Sequence, residues 1–124
     1  MEIDLYLLAV IAFRAGDNAH AKVWFSECLL FIQQIGVNRQ LPECLIGFAG
    51  IANADKRFEC AVQLVSAAEM QVEARQFPLD NVDQAELKRL ATILREELGN
   101  AEFEALAAKG RDMTMEQAIA YALE

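Results

Sequence analysis

At 124 residues with 55% hydrophobic composition, the chain is long enough to bury a core without disulfides and amounts to one domain. Eleven basic against nineteen acidic residues leave a formal charge of −8 and no basic stripe to neutralise phosphates, so direct nucleic-acid binding by this segment is not expected. No apolar run reaches the length of a membrane span, and Glu2 and Asp4 stand where a signal peptide would be basic, which points to a cytoplasmic protein.

About seven helices are predicted. Residues 3–15 carry Leu5, Leu8, Ala9 and Ala12 on one face, the spacing of a buried helical stripe. Gly16 stops that helix and Asp17 caps the next. The second helix, 18–35, aligns Ala21, Phe25, Cys28, Ile32 and Ile35, with Trp24, Leu29 and Phe31 widening the apolar face, and Gly36 closes it. A third helix begins near Gln40, with Pro42 tolerated in the first turn, where amides lack partners in any case. Its stripe is Leu41, Leu45, Phe48, Ala49 and Ala52, and a turn over 53–56 leads to a fourth helix, 57–75, bearing Ala61, Leu64, Val65, Ala68 and Val72.

Phe77-Pro78-Leu79-Asp80 interrupts the pattern, and Asp80 caps a fifth helix over 81–98. That helix places Leu87, Leu90, Ala91, Leu94 and Leu98 inside, with Glu86 and Arg89 paired on its outer face. The tail, 99–124, reads as two short helices. Gly110 suits the left-handed position just past a helix end, and Thr114 with Gln117 has capping-box spacing. With turns this short, neighbouring helices must run antiparallel, and the chain is read as all-α.

A shift of 40 residues lays the first helix pair on the second. Leu5 falls on Leu45, Leu8 on Phe48, Ala9 on Ala49, Ala12 on Ala52, Ala21 on Ala61, Phe25 on Val65 and Cys28 on Ala68. Such self-similarity belongs to a helical solenoid, in which each pair leaves an apolar face that the next must cover. The large-small steps Leu8-Ala9 and Phe48-Ala49, followed by Ala21 and Ala61, resemble tetratricopeptide repeats. The period is longer than the ~34 residues usual there, and Lys56 stands where the first pair has Gly16. Longer repeats of this kind resemble the arms of bacterial MalT-like and LuxR-type transcriptional regulators and of related signal-transduction ATPases. The closing residues Leu98-Gly99, Phe103, Gly110-Arg111, Met113-Thr114, Glu116-Gln117-Ala118-Ile119 and Tyr121-Ala122-Leu123 resemble the end of such an arm. So do Ser66-Ala67-Ala68-Glu69 and then Pro78.

The resemblance implies a tetratricopeptide-like α-α superhelix of antiparallel hairpins, with repeat one over 3–36, repeat two over 40–76, and a third helix plus capping helix pair over 80–124. It implies a single helical-repeat domain, a fragment of a larger chain, with Phe103, Leu106, Ala118 and Ala122 covering the last exposed face of the stack. It further implies a non-catalytic scaffold for protein–protein contact or effector sensing. In such stacks the first helix of each pair lines the concave side, which nominates Tyr6, Val10, Phe13, Arg14, Glu43, Ile46, Gly50 and Asn53 as a partner-binding surface. The first group mixes aromatic, apolar and cationic side chains, as binding surfaces do. The expected partner is another protein or preceding repeats of the same polypeptide; a homodimer through the apolar first helix is the alternative.

No cofactor or metal is expected. No phosphate-cradling Gly-rich loop ending in Lys-Ser/Thr occurs, and Ser26 and Ser66 lack a glycine elbow. His20 sits beside Asp17 at a helix start, where a cap-adjacent surface histidine is the plainer reading than a catalytic one. Cys28, Cys44 and Cys60 recur at intervals of sixteen, none at metal-ligand spacing; at least Cys28 is read as a buried small apolar residue, and neither a zinc nor a redox site is expected.

Overall fold

The structure, a computed structural model, describes the backbone of residues 5–35, 41–75 and 78–123. The described residues form seven helices and no strand, so the chain is all-α. The helices are α1 (Leu5–Arg14), α2 (Asn18–Ile35), α3 (Leu41–Ala54), α4 (Phe58–Arg75), α5 (Asn81–Leu98), α6 (Asn100–Arg111) and α7 (Met115–Leu123). Gly36, Gln40 and Phe77, expected at boundaries, lie outside the described residues, as do the side chains of Leu5 and Ile35.

The 40-residue shift reappears in the turns. Ala15 and Asp55 N–H donate to Ile11 and Ile51 O, both at 3.0 Å. Gly16 and Lys56 donate to Phe13 and Asn53 O, again both at 3.0 Å, and Asp17 and Arg57 to Ala12 and Ala52 O at 2.9 and 2.8 Å. One turn geometry is therefore used twice, and it needs a left-handed residue. Gly16 supplies φ 82° without penalty; Lys56 adopts φ 62° against about 1–2 kcal/mol of Cβ–carbonyl crowding. Helix starts keep the same interval, from Asn18 to Phe58 and from Leu41 to Asn81.

Helix α3 is the hub, packing on α1, α2, α4, α5 and α7. Ten of its fourteen residues are buried, Leu41 through Ala52 with only Glu43 and Gly47 half-buried, because it is apolar on every face. Two of its glycines receive rings. A Cβ on Gly47 would stand 2.3 Å from the Phe25 ring, and one on Gly50 2.7 Å from the Phe13 ring. Phe25 also meets Phe48 with ring centroids 5.9 Å apart. Phe13 therefore packs within this chain, on α3.

Helix α6 lies against α4, and here one expectation is overturned. Gly110 is not a left-handed stop; the helix runs on through Arg111, and only Gly16, Gly99 and Lys56 have positive φ among the described residues. Gly110 is buried, and a Cβ there would lie 2.4 Å from the Gln63 carbonyl oxygen and 2.9 Å from Ser66 Cβ. It is glycine because two backbones meet. The conformational role falls to Gly99, whose φ 84° and ψ 156° between α5 and α6 belong to a region essentially closed to other residues.

The expected caps are present. Asp83 N–H donates to Asp80 Oδ1 at 2.8 Å. Thr114 N–H donates to Gln117 Oε1 at 2.9 Å while Gln117 N–H donates to Thr114 Oγ1 at 3.1 Å, a reciprocal capping box. The terminal helices do not both cover the end of the stack, however. Phe103 and Leu106 of α6 are buried beside α4 and α5, but α7 turns back and packs on α2, α3 and α4, burying Ala118, Ile119 and Ala122. The turn after Arg111 redirects the chain, and α7 is apolar enough to bury itself between the two hairpins instead of at the end.

Candidate binding cleft

Helices α1, α3 and α5, with Phe25 of α2, line an open cleft of about 330 Å³. Its floor is Phe25, Ile46 and Gly47, its walls Val10 and Phe13 from α1 and Val82 from the first turn of α5. Phe25 and Ile46 are buried, whereas Val82 is 56% exposed, a large side chain left in water at the cleft mouth. The floor exists because Gly47 has no side chain. With any Cβ there, the Phe25 ring could not lie under α3.

The rim is charged, with Arg14, Glu43, Asp83, Glu86 and Arg89. Arg89 grips Glu86 with both arms of its fork, Nε to Oε2 at 2.9 Å and a terminal nitrogen to Oε1 at 2.6 Å. These bonds push the Arg89 pKa above its already high ordinary value, so the guanidinium stays charged. Arg14, exposed on the opposite wall, forms no ion pair among the described residues. The cleft therefore combines an apolar floor with three carboxylates and two guanidinium groups on its rim.

Five residues nominated from sequence line this cleft together: Val10, Phe13, Arg14, Glu43 and Ile46. The side chain of Tyr6 lies outside the described residues. Gly50 and Asn53 do not line the cleft: the Phe13 ring sits over Gly50, one turn short of Asn53. Asn53 is half-buried at the end of α3, and its Oδ1 is buried without a hydrogen-bond partner among the described residues. Val82, Asp83, Glu86 and Arg89 were not nominated. The repeat held the signal, since a second shift of 40 carries Glu43 onto Asp83 and Ile46 onto Glu86.

Other chemistry-bearing groups lie elsewhere. His20 Nδ1 stands 2.6 Å from Asp17 Oδ2 on the surface, and His20 N–H donates to Asp17 Oδ1 at 3.2 Å. The backbone bond first, and then the imidazole, hold the Asp17 carboxyl below its ordinary value. Burial raises the Glu69 carboxyl, opposed by Arg111, whose guanidinium is 3.6 Å away. Among the described residues, no three His, Cys, Asp or Glu side chains gather where they could hold a metal ion, and no helix is long and apolar enough to cross a membrane. No family model, curated protein or solved structure matches the chain.

Proposed function

We propose that this chain is a non-catalytic, tetratricopeptide-like scaffold that docks a segment of another protein in the cleft between α1, α3 and α5. The observation that carries the reading is the convergence of the first helix of each successive unit on one apolar-floored, charge-rimmed cleft. The 40-residue interval between the starts of α3 and α5 supports counting α5 as the first helix of a third unit. Apolar anchors give such a site its affinity, and rim charges set register and exclude wrong partners. The sequence resemblance to repeat arms of MalT-like and LuxR-type regulators and signal-transduction ATPases makes a sensor or docking role within a larger regulator the favoured setting.

The test is selection of linear peptides from a displayed random library against the intact chain. Enriched peptides should lose binding to Arg14→Glu and Val82→Asp, two substitutions at exposed positions, each checked for parental helix content by circular dichroism. Enriched peptides that bind both variants as tightly as the parent place the site elsewhere, and the reading then fails.

One observation favours a second reading, self-association through the first hairpin. Of the five large apolar side chains exposed among the described residues, four belong to α1 and α2: Ile11, Val23, Leu30 and Phe31, each 46–56% exposed. Sedimentation equilibrium of the parent against Ile11→Lys with Phe31→Lys separates the two, since a parent monomeric at micromolar concentration removes the dimer.

A further inference from the structure

Cys28 of α2 and Cys44 of α3 bring their sulfurs to 3.1 Å, the Cys44 thiol directed at Cys28 Sγ. Both are buried in the main core, Cys44 completely and Cys28 at 5% exposure. A disulfide needs sulfurs about 2.05 Å apart, so closure asks for roughly 1 Å of approach, within reach of small side-chain rotations. Cys60, on α4, is half-buried, and its sulfur lies 3.8 Å from the Arg57 guanidinium.

We propose that Cys28 and Cys44 are a redox pair that hydrogen peroxide converts to a reversible disulfide. Cys28, the one of the two with any surface exposure, attacks a peroxide oxygen; the O–O bond breaks, the sulfur becomes a sulfenic acid and one water leaves. The Cys44 sulfur then attacks that sulfenic sulfur, the S–O bond breaks, and the thiol proton leaves with the departing oxygen as a second water. Two thiols are oxidised by two electrons and one peroxide is reduced to two waters. A dithiol reductant reverses the bond by exchange.

The bond would tie the first hairpin to the second. Phe25 precedes Cys28 by one turn on α2, and Gly47 follows Cys44 by one turn on α3, so the link lies beside the ring-on-glycine contact that floors the cleft. The redox pairing itself stands on the sulfur geometry and does not depend on what the cleft binds.

The spacing of the three cysteines supplies the test. Cys28–Cys44 and Cys44–Cys60 close loops of equal length, so chain entropy cannot favour one pairing over the other in the unfolded protein. The reduced chain is treated with a slight excess of hydrogen peroxide, either folded or in denaturant, then alkylated and digested. In the folded protein the Cys28–Cys44 peptide should exceed the Cys44–Cys60 peptide by at least tenfold, and dithiothreitol should restore both thiols; in denaturant the two should form in comparable amounts. In Cys60→Ser the intact mass should fall by two hydrogens, a loss that Cys28→Ser, with Cys44 and Cys60 left, should not show in the folded state. Comparable pairings in the folded state overturn the proposal, as does a mass gain from separate oxygenation of each sulfur.

Discussion

Replacing Gly110 by alanine sets two effects of opposite sign against each other. Helix propensity alone favours alanine in a helix interior by about 0.8–1.0 kcal/mol. The new methyl, however, would sit 2.4 Å from the Gln63 carbonyl oxygen, where contacts under 3.0 Å are essentially never seen, so α6 must retreat from α4 by at least about 0.6 Å. The obstacle is backbone, flanked by buried Ser66, and no side chain can rotate out of the way. Overpacking of this kind costs about 1–3 kcal/mol, and the retreat also loosens buried Phe103, Leu106 and Ala107. A net loss of about 1–2 kcal/mol is expected, a fall of roughly 3–8 °C in melting temperature for a chain of this size. Thermal and urea unfolding followed by circular dichroism measure it, with Ala108→Gly on the exposed face of the same helix calibrating propensity. If Gly110→Ala melts higher by about what Ala108→Gly loses, the close approach of α6 to α4 is not what selects glycine.

The two equivalent turns respond in opposite directions. Gly16→Ala meets open space, so its cost is backbone strain alone, about 1 kcal/mol once the lost flexibility of glycine is set against it; Lys56→Gly relieves the same strain and gains up to about 1 kcal/mol. Unfolding shifts of the same sign in both variants would sink the shared-turn reading. Thr114→Ala removes half of the capping box and should cost about 1 kcal/mol, with faster hydrogen exchange at the Gln117 amide but not at Ala107; unchanged Gln117 protection would count against the cap. Asp17 and Glu69 give opposite pH signs. The Asp17 carboxyl is depressed, so its contribution is present above the ordinary value of 3.8 and disappears as pH falls through the lower folded value. The advantage of the parent over Asp17→Ala should therefore shrink in acid. The Glu69 carboxyl is raised, so its contribution is full below 4.5 and lost as pH rises through the folded value. Glu69→Gln should gain on the parent across that window, and a difference independent of pH would refute the assigned burial.

Local chemistry was legible along the chain because it acts between residues close in sequence. The Asp80 and Thr114 caps depend on amides three residues away, and the Glu86–Arg89 pair spans one helical turn. Pattern gave the α2 and α5 boundaries, and the 40-residue self-similarity carried over into matching turn hydrogen bonds. Position on a repeated first helix was enough to bring Val10, Arg14, Glu43 and Ile46 to one cleft.

What the sequence by itself determined was therefore the all-α class, the bounds of α2 and α5, and which face of a helix is apolar. What only the tertiary structure decided was which glycines are turns and which are contacts. Gly110 read in sequence as a stop and Gly50 as part of a binding surface, yet both, like Gly47, are helical and small because a ring or a backbone from another helix occupies the space of the missing side chain. The fold-back of α7 onto α2 and the 3.1 Å approach of Cys28 to Cys44 belong to the same class. Periodicity reports which face of a helix turns inward, and it carries no information about which helix meets that face.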